Sequence, residues 1–249
     1  MKNLIKLQIR NLSHSKLFYV CLGMTLLTTI LNFIAELVIP NIPSLAEEIF
    51  KNGITYSKVF PQFVDFMKGE IGIVGKVFIA LFCCLEFTEG TTKNIIARGY
   101  TRIQYLLSKY AVTLIGLFMM YLITFALTFV LFIKNGFGYD SNMMYQLIIS
   151  LFETSALTIM FSTISILLEK NGSAIVACLF IPTGATLLLT LCDNYLKLGV
   201  SKYWIENVSD MFASSLKMGD FWLSIICYII YIGLFMIIGN YLFKKKEIK

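Results

Sequence analysis

The sequence predicts an all-α integral membrane protein with six transmembrane helices, and three observations predict it. Of the 249 residues, 57% are hydrophobic and only 14% are charged, with a mean hydropathy of +0.77. Soluble domains carry about 25% charged residues, so a soluble core of this size has nowhere to hide so much apolar surface. Apolar runs near the length that crosses a bilayer, about 20 residues, recur along the chain. The polar connectors between them differ in basic content, which assigns them to sides. There is no internal repeat, low-complexity tract or soluble module, so residues 1–249 form a single transmembrane domain.

Residues 1–14 read as a short amphipathic helix. At 100° per residue, Met1, Leu4, Ile5, Ile9 and Leu12 share a broad face, and Lys2, Lys6 and Arg10 lie beside it. Such a helix lies in the membrane interface with its basic edge toward anionic lipid. Leu17–Val38 is the first span. It is too long for the apolar region of a signal peptide, and no small-residue cleavage pattern follows, so it is expected to be retained. Asn32 and Glu36 stand in its outer half, where Glu36 is expected to reach the outer surface. Residues 39–70, with Pro40, Pro43, Pro61 and several acids, read as a long outer segment. Ile71–Phe87 is the weakest span, with Lys76 near one end and Glu86 near the other. Val77–Leu85 between them is wholly apolar, and both charges are expected to reach an interface.

Residues 87–110, FTEGTTKNIIARGYTRIQYLLSKY, carry Lys93, Arg98, Arg102 and Lys109 against the single acid Glu89. Thr91 or Thr92 is placed to N-cap a short helix through Asn94, Ile95, Ile96 and Ala97, and Gly99 suits the position just past its end. Thr101 followed by Gln104 is a capping box that starts a second helix, which runs into the third span. A helix this short is marginal alone and needs a partner. Two roles fit: docking on an acidic protein surface through Ile95, Ile96, Lys93 and Arg98, or an interfacial turn whose basic residues reach lipid.

The remaining spans are Tyr110–Ile133, Met143–Leu168, Ala174–Leu191 and Phe221–Phe243. Glu153 lies well inside the fourth. A carboxylate near the bilayer centre costs roughly 2.5–3.5 kcal/mol on insertion scales. It lines a pathway or a seam between chains, or it is a hydrogen-bonded packing residue; both remain open. Residues 192–220, with Tyr203, Trp204, Met211 and Phe212, suggest a short helical hairpin dipping into the outer interface. Thirteen lysines and arginines fall in the N-tail, residues 87–110, Lys170 and the C-tail, against seven in the other connectors, where most acids lie. Both termini are therefore expected in the cytoplasm, with residues 192–220 outside.

No phosphate-binding loop exists. The nearest match, Gly69–Lys76 (GEIGIVGK), has one residue too many between its glycines, and Val77 stands where a metal-binding hydroxyl belongs. His14 is the only histidine, which removes His-based metal sites and Ser-His-Asp triads. "EEIFK" at Glu47–Lys51 resembles part of an intramembrane protease signature, but the histidines that chemistry needs are missing. The six cysteines form no CxxC pair, and most sit in apolar runs as small hydrophobes. No enzyme activity, bound cofactor or nucleic-acid partner is expected.

The 87–110 stretch resembles the cytoplasmic coupling segment of ABC-2 type exporter permeases. Glu89-Gly90-Thr91, Arg102 twelve residues after Gly90, and Lys109 seven after that match that family's offsets, with Gly99 where the family often has proline. The resemblance implies a permease half: two such chains, alike or different, forming the pathway, driven by separate subunits that bind ATP and Mg. It implies coupling roles for Glu89, Gly90, Thr91, Lys93, Asn94, Ile95, Ile96, Arg98, Gly99 and Arg102, with Arg102 expected to pair with Glu89. Glu153, Asn32 and Glu36 are the candidates for the pathway or the inter-chain seam. Small permeases of this kind in low-GC Gram-positive bacteria resemble bacitracin or lantibiotic export and immunity systems. The alternatives are an ATP-independent secondary transporter or channel, or a membrane immunity protein.

Overall fold

The computed structural model describes residues 2–38, 58–68, 70–138, 141–197 and 199–246. Among the described residues every regular element is helical: α1 (Lys2–His14), α2 (Lys16–Val38), α3 (Val59–Lys68), α4 (Glu70–Thr88), α5 (Thr91–Ala97), α6 (Arg102–Phe132), α7 (Ser141–Leu168), α8 (Asn171–Leu196), α9 (Val208–Ser215) and α10 (Met218–Lys245), with short 3-10 turns at Ile133–Asn135 and Ser201–Tyr203. Five helices are long and apolar enough to cross a membrane. A sixth span results if Val59–Met67 and Gly72–Thr88, bent by 42° at their break, count as one. This all-helical set of five to six apolar helices fits a multi-pass membrane protein.

The second span departs from the sequence expectation. Of the outer segment expected over 39–70, residues 39–57 lie outside the described residues, but 59–68 are helical and extend α4 backward. Val59, Phe60, Phe63, Val64, Phe66 and Met67 are buried, an apolar face at helical spacing. Pro61 reads as a loop signal, yet it sits in the first turn, where no intrahelical partner for its missing N–H is required. The N–H groups of Val59 and Phe60 are instead satisfied by the carbonyls of Gly136 (3.3 Å) and Phe137 (3.2 Å).

α7 is the central helix, packing on α10, α4 and α8. Buried hydroxyl residues make this close approach possible: Thr154, Thr158, Thr163 and Ser165 each donate to the carbonyl four residues back, so their polar atoms need no outside partner. Over the apolar window of α7, 56% is buried, against 11% for α8. α8 therefore turns most of its surface outward, toward lipid or another chain. In α1 the buried face is Leu4, Gln8 and Leu12, packed on α6, while Ile9, expected on that face, is exposed with Leu7. The expected hairpin over 192–220 takes the form of the 3-10 turn and α9, whose Val208 and Phe212 are buried against α7 and α10.

Side-chain contacts define two faces. Asn11 with Glu86, Arg102 with residues 243–246, and Lys246 with Glu169 gather both described ends of the chain on a terminal face. The far face holds the start of α3 and residues 199–217.

Candidate functional site

On the terminal face three helices meet at the carboxylate of Glu86, and a fourth meets its main-chain carbonyl. Lys109, two turns into α6, places Nζ 3.1 Å from Glu86 Oε1, with side chains 1% and 5% exposed. Tyr105, one turn earlier on the same face of α6, donates its hydroxyl to Glu86 Oε2 (2.8 Å), and Asn11 Nδ2 of α1 reaches Oε1 at 3.5 Å. The Lys109 ammonium also lies 4.2 Å from the centroid of the Phe82 ring. α5 joins through Thr91, whose hydroxyl donates to the Glu86 carbonyl (3.2 Å), and through Thr92, whose hydroxyl lies 3.5 Å from that of Tyr105. A buried ion pair holds only when hydrogen bonds satisfy its remaining lone pairs, as they do here. The expectation that Glu86 reaches an interface is overturned: a partner on the facing helix serves it better than a route to water.

The short helix α5 is real, but its start differs from the sequence reading. Gly90, at φ 67°, occupies the N-cap position without a side-chain cap, and Thr91 spends its hydroxyl on Glu86 instead. Its end is as expected: Arg98 N–H donates to Asn94 O (3.2 Å), Gly99 N–H to Ile96 O (2.9 Å), and Gly99 takes φ 88°. Ile95, expected to face a partner, is 7% exposed and belongs to the protein's own core, while Ile96 is half-buried. Lys93, Asn94, Ala97 and Arg98 are exposed, as is Glu89.

Thr101 and Gln104 form the expected capping box, with Gln104 N–H 3.3 Å from Thr101 Oγ1 and Thr101 N–H 3.1 Å from Gln104 Oε1. Arg102 does not pair with Glu89. Its Nη1 donates to the carbonyls of Phe243 (3.1 Å), Lys244 (2.8 Å) and Lys246 (2.6 Å), where the end of α10 exposes unsatisfied acceptors. Lys246 in turn caps α7: its Nζ lies 3.1 Å from Glu169 and donates to the carbonyls of Ile166 (3.3 Å) and Leu167. Two cations on two helix C-termini thus tie α6 to α10 and the chain end to α7.

Toward the far face, a cavity of about 260 Å³ opens between α4, α6, α7, the start of α9 and the segment before it, lined among others by Lys76, Tyr121, Glu153, Thr158, Glu206 and Asp210. Lys76 pairs with Glu206 at 2.7 Å, and Thr186 of α8 donates to the other Glu206 oxygen (3.2 Å). Glu153 is half-buried on the cavity wall. Asn32 is half-buried on α2 and does not line this cavity, and the Glu36 side chain lies outside the described residues.

A family model described as "Protein of unknown function (DUF2705)" matches residues 44–249. The chain belongs to this family. No curated protein and no solved structure matches it. The DUF2705 region contains Glu86, Tyr105, Arg102, Lys109 and Lys246, and the far-face cavity; Asn11, which completes the carboxylate site from α1, precedes it. The sequence reading missed Glu86 and Lys109 as a pair, although a signal existed. They stand at the facing ends of consecutive spans, on either side of the polar stretch between them, and Tyr105 shares the Lys109 face.

Proposed function

We propose that this chain is the membrane permease subunit of an ATP-driven exporter whose ATP- and Mg-binding subunits are separate chains. The observation that carries the reading is the joint at Glu86. A seven-residue helix that would be marginal alone is tied to α4 by Thr91, to α6 by Thr92 and to the core by Ile95, beside the ion pair that joins α4 to α6, while Lys93, Asn94, Ala97 and Arg98 face outward. A helix held this firmly, yet turned outward, suits the transfer of force from an external subunit. Arg102 and Lys246 would carry that motion on to α10 and α7. In this reading the terminal face is cytoplasmic, as its excess of basic residues favours, in the membrane of a bacterial cell. Two chains, identical or different, form the pathway, and the outward surface of α8 is available for the contact. The cargo class follows from the resemblance alone: a peptide, an antimicrobial or another amphipathic compound.

The far-face cavity with its charged lining gives a second reading its own observation. In that reading the chain transports without ATP, and Glu153 and the Lys76–Glu206 pair form the cargo path. Affinity purification of the chain from its native membrane separates the two. The exporter reading expects a nucleotide-binding subunit in stable ratio, with ATP hydrolysis by the complex. Transport by the purified chain in vesicles without ATP or any second protein would sink it.

A further inference from the structure

We infer that the cavity between α1, the start of α2 and the exposed edge of α5 is a binding site for the phosphodiester headgroup of an anionic phospholipid. The inference rests on the membrane reading but not on the ATPase partner. The cavity measures about 600 Å³ and has two chemically distinct parts. Leu17, Phe82 and Leu85, from two of the apolar helices, give it an apolar wall at the level where those helices meet the terminal face. Lys16, Arg98 and His14 give it a polar rim from three different elements. Neither Lys16 nor Arg98 makes an ion pair with any carboxylate among the described residues.

Two carboxylates also line the space. Glu86 is neutralised by Lys109, leaving Glu89 against Lys16 and Arg98. The formal sum is one positive charge. That matches a phosphodiester, which carries one negative charge, and guanidinium is the natural fork for phosphate oxygens. Polar rim over apolar wall is the profile of a lipid at the interface, since basic side chains near an anionic leaflet attract its headgroups. A soluble subunit could meet the rim but would leave the wall of spanning helices empty.

The test uses the isolated chain, delipidated in detergent, with added phosphatidylglycerol carrying a photoactivatable acyl chain. Labelling of the peptide containing Phe82 and Leu85 is expected. Lys16→Gln with Arg98→Gln should lower it on the order of tenfold, with no change in labelling of the outward face of α8. Lys134→Gln with Lys217→Gln, at exposed positions toward the far face, should leave it unchanged. Labelling confined to the outer surfaces of α2 and α8, or insensitive to the Lys16 and Arg98 changes, would overturn the site. So would equal labelling by phosphatidylcholine, or complete competition by glycerol phosphate, which would assign a soluble phosphate compound. Labelling that vanishes whenever a bound ATPase subunit is present would give the cavity to that subunit instead. Circular dichroism and size-exclusion profiles matching the wild type keep a misfolded variant from imitating loss.

Discussion

Lys109–Glu86 and Lys76–Glu206 are the same chemical pair in two settings. The first, at the inner wall of the terminal-face cavity, is closed over, with both side chains 5% exposed or less, and a tyrosine, an asparagine and an aromatic ring packed around it. The second lines a cavity toward the far face, with side chains 18% and 20% exposed, and one further hydroxyl on its carboxylate. The difference in burial decides what each can do. A closed-over pair cannot be separated without stranding a charge, so it behaves as a fixed joint. A pair open to a cavity can exchange its partner for water or cargo at little cost, so it suits an element that opens.

The largest effect is expected from breaking the closed-over pair on one side. Lys109→Met leaves Glu86 buried without its cation and should destabilise the protein by about 3–5 kcal/mol, seen as lost monodisperse yield and a lower unfolding temperature in detergent. Adding Glu86→Gln to it should restore much of the loss, because no charge is then stranded. If Lys109→Met alone is silent, the joint is not closed over and the comparison collapses.

Next comes Arg102→Ala. Removing charged hydrogen bonds to the end of α10 should cost about 1–3 kcal/mol locally. Amide exchange in residues 240–246 should accelerate while that of α7's centre does not. In a working exporter, ATP hydrolysis should continue while transport falls. Ile95→Asp belongs in the same range or above, since it buries a charge in the protein's own core; it should reduce folded yield, not just partner binding.

Lys76→Gln should be the mildest for stability, within about 1 kcal/mol for a partly exposed pair, yet it should change the labelling rate of a cysteine introduced at the half-buried Leu157 on the cavity wall. Equal stability losses for Lys76→Gln and Lys109→Met would erase the distinction between the two regions.

Much of this architecture was legible in the sequence, for specific reasons. The spans follow from composition, and the Thr101–Gln104 box and the Gly99 stop are local signals with local geometry, so they appear where expected. What was not legible depends on pairs distant in the chain. One polar stretch holds both Arg102 and Glu89, which favours a local pair, but Arg102 finds the α10 carbonyls, more than 140 residues away. Thr91 looked like a cap because the Glu86 carbonyl that claims it lies beyond the turn at Gly90. Ile95 and Ile96 looked alike until packing divided them. The helix over 59–68 was hidden because Pro61 signals a loop by type, while its position in the first turn permits a helix.

In the exporter reading, α5 is an anchored helix turned toward a separate ATPase subunit. Asn94 is its exposed mid-helix residue, and a cysteine there, with the exposed native Cys192 replaced, allows the claim to be tested in native membranes with a short bifunctional reagent. The account predicts one dominant crosslinked species, containing a nucleotide-binding protein, whose yield changes when ATP is added. Capture of lipid or of a second copy of this chain alone, with no nucleotide-binding protein under any nucleotide condition, would contradict it.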